Sequence, residues 1–292
     1  MKMLLPVIVA ILSVISGPRS STAEALSVAV SILPQQYFVQ QLAGERVAVQ
    51  VMVSPGASPE TYEPKPLQMA ALSTAKLYFA IGVPFEQIWL PRIAGKNLTI
   101  VHTDARIAKI PMHGHHHEDA PQGARESDPA GAPDPHIWLS PALVKVQVEH
   151  ILNALLAADP EGAREYRRNF ERFGAQIDQL DSEIKGLLSN AQGKTFLAFH
   201  PAWGYFAQAY GLEQMAIEID GREPGPASLR RQIEIGRQLG VKWIFVQPQF
   251  STKSARLVAD AIGAEVVAAD PLAPDWPQNL RRVAMNIKSA LE

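Results

Sequence analysis

Cysteine is absent from the 292 residues. That excludes a disulfide framework, a thiolate nucleophile, a thiolate metal site and a lipid anchor on a processed N-terminal cysteine. An excess of one charge sign is also absent. The 27 Lys and Arg stand against 29 Asp and Glu, for a formal net charge of −2. Nothing therefore argues for nucleic acid, which calls for a basic surface. Long hydrophobic runs are missing too. Residues 3–15 are apolar except for Ser13 and a Pro6 break, which is short of the about 20 residues of a membrane-spanning helix. What remains is a globular composition, 47% hydrophobic and 19% charged, long enough for one large domain or two medium ones. Any soft-metal chemistry must come from the 8 histidines and the carboxylates.

The short apolar run has the marks of a signal peptide. Lys2 supplies the positive n-region, and Ala23-Glu24-Ala25 offers a small-x-small cleavage pattern. Residues 1–25 are expected to be removed, leaving a freely soluble exported protein in the periplasm.

Beyond it, strand-like and helix-like segments alternate. Residues 26–32 and 47–53 alternate apolar and small polar side chains, and 77–81 and 98–101 are further strand candidates. Helical segments fit at 35–43 and 66–73. Residues 111–133 break the pattern. They hold His113, His115, His116 and His117, then Pro, Gly, Ala and Ser without apolar periodicity, and read as a mobile surface loop. Asp159-Pro160-Glu161 is a strong helix start. The apolar stripe that follows, from Ala163 and Tyr166 through Phe173, Ile177 and Leu180 to Leu187, predicts one long helix over 159–189. A break near Gly174 into a helical hairpin is the alternative. Strands at 195–199, 215–219, 243–246 and 265–268 then alternate with helices at 203–210, 228–239, 251–262 and 276–291. The expected fold is two α/β lobes, each with a mostly parallel sheet, at 26–158 and 190–292, joined by one long linker helix.

Ligands of open α/β sheets collect at the carboxyl ends of strands. Four segments place a metal-ligating residue type there or in a proline-stiffened turn. His200 follows the strand candidate ending at Phe199. Asp270 follows the one ending at Ala268. His136 stands between Pro135 and Pro141. The turn from Pro55 to Pro64 offers Glu60 and Glu63. Each alone is more often a hydrogen-bonded turn residue or a helix cap. Together, imidazoles and carboxylates on separate rigid turns suit a divalent metal site.

Six short motifs carry a resemblance. They are the Pro-Gly turn ending in Tyr62-Glu63-Pro64, the run Asp134-Pro135-His136-Ile137-Trp138-Leu139-Ser140-Pro141, and the run His200-Pro201-Ala202-Trp203-Gly204-Tyr205-Phe206. The others are Glu223-Pro224-Gly225-Pro226, Pro248-Gln249-Phe250-Ser251 and Asp270-Pro271-Leu272. Over essentially the whole chain after the signal peptide, the sequence resembles the cluster A-I substrate-binding proteins of ABC importers, the ZnuA/TroA-like group that captures zinc or manganese. The resemblance implies one metal between two lobes, with one ligand from each of four motifs: Glu60, His136, His200 and Asp270. It implies an ABC-type permease in the inner membrane as partner, no catalysis, and a monomer. This chain has Glu60 where the group usually has His, Ser58 where it has Asp, and Gln247 where it has Glu.

The expected cargo is zinc. Divalent affinities rise from manganese toward zinc, four monodentate ligands make the tetrahedron zinc accepts, and a His-rich loop (His113, His115, His116, His117) suits zinc gathering. Manganese or iron is the alternative, because two carboxylates make a harder site than three imidazoles and one carboxylate. A periplasmic zinc metalloenzyme with an open water position, or a metal buffer without a permease, are further alternatives. No HExxH helix supports the enzyme.

Overall fold

The computed structural model describes residues 25–93, 95, 97–112, 132–218 and 224–291. The expected signal sequence up to residue 24, the histidines at 113 and 115–117, and Glu223 lie outside the described residues.

The first lobe is built on β1 (Leu26–Val30), β2 (Val47–Val51), β3 (Leu77–Ala80) and β4 (Thr99–His102), with α1 (Leu33–Ala43), α2 (Pro66–Leu72) and α3 (Pro84–Ile93) as crossovers. The sheet is parallel throughout, in the order β2-β1-β3-β4. After α4 (Pro141–Ala158) and α5 (Ala163–Leu187) the second lobe repeats the plan. Its strands are β5 (Thr195–Ala198), β6 (Glu213–Ala216), β7 (Trp243–Val246) and β8 (Glu265–Ala268). Its helices are α6 (Gly204–Tyr210), α7 (Pro226–Gln238), α8 (Lys253–Ile262) and α9 (Trp276–Leu291). The strand order is β6-β5-β7-β8, again all parallel. Parallel strands covered on both faces should be apolar without alternation, and every residue of β3 and β7 is buried.

The long helix is continuous through Gly174, so the hairpin alternative does not occur. It is shorter at its start than the sequence predicts. Asp159 caps a single 3-10 turn, Pro160–Gly162, and the α-helix opens at Ala163. The local cause is a cluster around Asp159, whose carboxylate takes bonds from Arg46 (2.8 Å) and from the Tyr166 hydroxyl. The backbone at residue 162 runs close under it. A Cβ at Gly162 would sit 2.5 Å from the Tyr166 ring and 2.7 Å from Arg46 Nε, so only glycine fits. Over its 25 residues the helix spans about 37 Å. It buries Tyr166, Phe173, Ile177, Leu180 and Ile184.

One apolar core runs through both lobes. Phe38 of α1, Phe173 of α5 and Trp276 of α9 meet there, with Phe38 edge-on to Trp276 at 5.2 Å. Trp138 donates from Nε1 to Pro271 O at 2.7 Å, and Trp276 donates from Nε1 to Trp138 O at 2.7 Å. Tyr205 donates to Asp134 O at 2.9 Å. Buried aromatic area and satisfied polar tips tie the lobes together.

Candidate metal centre

In each sheet the chain order reverses beside the central strand, at β1/β3 in one lobe and β5/β7 in the other. Such switch points open a crevice at the carboxyl ends of the strands. There three sequence-predicted residues converge. Glu60, His136 and His200 each offer one ligand atom, and the three atoms lie within 4.8 Å of one another.

Glu60 arrives on the turn after β2. Its amide donates to Ser58 Oγ at 3.2 Å. Gln68 ties the rest of that turn down. It accepts from the Tyr62 hydroxyl (2.6 Å) and Lys65 N (3.0 Å), and donates to Met52 O (2.7 Å). Glu63 is exposed on the outer side of the same turn. His136 is locked by its own motif. Asp134 Oδ1 accepts from the His136 amide at 2.8 Å and meets Nδ1 at 2.7 Å. Nε2 is then the nitrogen left for an ion. Trp138 packs beside the ring at 5.1 Å.

His200 is held from several sides. Gln247 accepts from its amide (3.2 Å) and donates to its carbonyl (2.7 Å). Phe250 stacks on the ring at 5.1 Å. Nε2 lies 2.8 Å from Glu60 Oε1, and Nδ1 lies 2.8 Å from Glu218 Oε1. Burial alone would lower the pKa of His200, but the hydrogen bonds to Glu218 and Glu60 outweigh it and push it up to about 9. Burial acts on Glu60 in the raising direction, yet its hydrogen bond to His200 and the charges of His200 and His136 hold its carboxyl below the usual range. An ion bound through Nε2 of His200 would have to displace the proton there.

Asp270 stands outside the 4.8 Å group formed among the described residues. Its Oδ1 accepts from Gln249 Nε2 (2.9 Å) and from Leu272 N (3.0 Å), and its carbonyl accepts from Asn279 (2.7 Å). It borders a neighbouring cavity of about 200 Å³. Glu60, His136 and His200 line a much smaller one of about 20 Å³, together with Val83, Trp138 and Phe250. Gln249 borders both. Twenty cubic ångströms hold one ion or one water.

The two other described histidines, His102 and His150, stay apart. His102 is exposed at the end of β4, 3.7 Å from Asp104. His150 bonds Ala105 O at 3.0 Å. Of the described aromatics near the motifs, Trp138 and Phe250 wall the small cavity. Trp203 is core, packed on Phe206 and Phe245. Sequence reasoning missed Glu218. The signal was the one that found Asp270, a carboxylate just beyond a strand. It was hidden because the strand predicted over 215–219 ends at Ala216.

Comparison with known proteins adds an independent finding. The family model described as zinc-uptake complex component A, periplasmic, matches residues 28–290. The high-affinity zinc uptake system protein ZnuA of Bacillus subtilis (strain 168) is 28% identical over 261 residues, covering 88% of this chain and 81% of that protein. A crystal structure of ZnuA superposes with a TM-score of 0.83 at 38% identity, covering 92% of this chain and all of that one. A zinc-bound ZnuA lacking its residues 138–173 superposes with a TM-score of 0.82 at 39% identity, covering 91% and 98%.

Proposed function

The chain belongs to the periplasmic zinc-uptake component A family, and from that premise we propose that it captures a zinc ion between its lobes and delivers it to an ABC-type permease. One observation carries the reading. Two imidazoles and a carboxylate from opposite lobes converge on a cavity of about 20 Å³. Zinc bonds of about 2.0–2.2 Å set neighbouring donors about 3.4 Å apart, so a modest contraction of the 4.8 Å group closes it on an ion. Asp270 is the fourth ligand in this reading. Its Oδ1 is engaged by Gln249 and Leu272 N, which leaves Oδ2 for the metal.

Binding rather than catalysis fits a cavity of about 20 Å³, the size of one ion, and the family to which the chain belongs. A manganese or iron cargo is the second reading, favoured by the oxygen contributed by Glu60 and Asp270. Two imidazoles and the affinity order favour zinc. Residues 1–25 act as the export signal, and the histidines at 113 and 115–117 collect zinc for the main site. Among the described residues no helix is long and apolar enough to cross a membrane. The protein works as a monomer of two lobes, 26–158 and 190–292, on the linker 159–189, and meets the membrane through the permease.

Thermal unfolding with and without zinc tests the reading. Metal that binds only the folded state raises the Tm. His136→Ala and His200→Ala should each abolish most of that rise. A full zinc-induced shift in both variants would refute the site.

A further inference from the structure

Glu218 is 5% exposed, and the ligand set makes no use of it. Its place follows from strand register. Ala198 pairs with Ala216, and Glu218 N donates to Phe199 O at 3.0 Å. The chains after β5 and β6 therefore run on side by side, and Glu218 comes to lie next to His200. Oε1 meets Nδ1 at 2.8 Å. Among the described residues Oε2 is buried without a hydrogen-bond partner. A carboxylate so placed is unfavourable for folding, and an apolar side chain would fill the space without that penalty. Its benefit must lie at the imidazole.

Other contacts to His200 do not set which nitrogen faces the ion. Gln247 grips only its main chain. The Phe250 stack is equally satisfied when the ring turns over by half a revolution. Among the described residues only the carboxylate distinguishes the two ring nitrogens from behind. We propose that Glu218 is the positioning residue for His200. It accepts the Nδ1–H hydrogen bond, presents Nε2 to the metal and makes that nitrogen a stronger donor. Asp134 does the same for His136 from within one short motif, so each lobe brings an imidazole backed by a buried carboxylate. Outer carboxylates of this kind fix tautomer and ring orientation at metal sites. The inference rests on His200 being a ligand.

The test uses the purified protein, labelled with 15N-histidine, with zinc titrated against a competing chelator. Zinc-loaded wild type should show a protected Nδ1–H resonance for His200. Glu218→Leu should still bind one zinc, about 10–100-fold more weakly, and lose that resonance. Glu218→Gln keeps an acceptor oxygen, so it should retain the resonance, moved upfield, with a smaller loss of affinity. Should the Leu variant not fold, the Gln variant decides alone. Wild-type affinity together with an unmoved resonance in either folded variant overturns the proposal. Wild-type zinc affinity in His200→Ala would instead overturn the ligand assignment beneath it.

Discussion

Glu60 Oε1 and His200 Nε2 meet at 2.8 Å across the boundary between the lobes. One is a carboxylate on the turn after β2, the other an imidazole after β5. Before an ion arrives they satisfy each other as an ion pair. In the proposed reading both become ligands when it arrives, and the proton between them leaves.

Zinc binding should therefore release a proton. His200 is pushed up to about 9, so at neutral pH it carries the Nε2 proton. Calorimetry in buffers of different ionisation enthalpy should find about one proton released per zinc at pH 7. Apparent affinity should rise about tenfold per pH unit up to about 9 and then flatten, since only the neutral imidazole binds. No released proton, or flat affinity from pH 6.5 to 9, would contradict this.

The same shift predicts a pH dependence of stability without metal. A histidine whose folded pKa lies above its unfolded value of 6.5 stabilises fully below 6.5 and loses that contribution as pH rises through the folded value. The Tm of metal-free protein should fall between about pH 6.5 and 9 through this group. His200→Gln should flatten the fall. An equal slope in both proteins would remove the ion pair from the account.

Glu60→Ala should weaken zinc by about 100-fold or more, since loss of an outer-shell partner alone takes 10–100-fold. The fold should stay intact, because Glu60 is half-buried on a turn held by Gln68. Chelator competition and circular dichroism read the two halves of this statement. Unchanged affinity would leave Glu60 as a mere neighbour of His200.

The lobes should unfold together. The aromatic core is shared, and Trp276 bonds the Trp138 carbonyl. Trp276→Phe should destabilise by about 1–3 kcal/mol by leaving that carbonyl unpaired, in one cooperative urea transition. Two separated transitions in the wild type would mean that the shared core does not couple the lobes.

Deleting residues 113–119 should leave one tightly bound zinc and reduce the number of weakly bound ions or the loading rate, because a segment of this composition contributes little preorganisation. Loss of the tight site on deletion would mean that the segment supplies a primary ligand.

The two-lobe plan was legible because strand-like and helix-like segments alternate, with β3 and β7 buried throughout, and because the α5 stripe keeps one phase through Gly174. Glu60 and His136 were legible as ligand types on proline-stiffened turns, and His200 as one just beyond a strand. The α3 helix was not. Pro84 opens it and Pro91 lies inside it, so its ten residues carry a breaker where periodicity would be sought. The role of Glu218 was hidden because it depends on strand register, which a local pattern does not encode. Asp270 shows the converse. Its motif marks it as a ligand, while its carboxylate is held by Gln249 beside the larger cavity, a placement set by tertiary contacts.

X-ray absorption spectroscopy of the one-to-one zinc complex tests the central claim most directly. The account predicts four light-atom ligands at about 2.0–2.1 Å, with the outer-shell scattering of two imidazoles and no sulfur. In His136→Ala and in His200→Ala the imidazole signal should fall by one ring each. Six oxygen ligands, or an imidazole count indifferent to both substitutions, would contradict it.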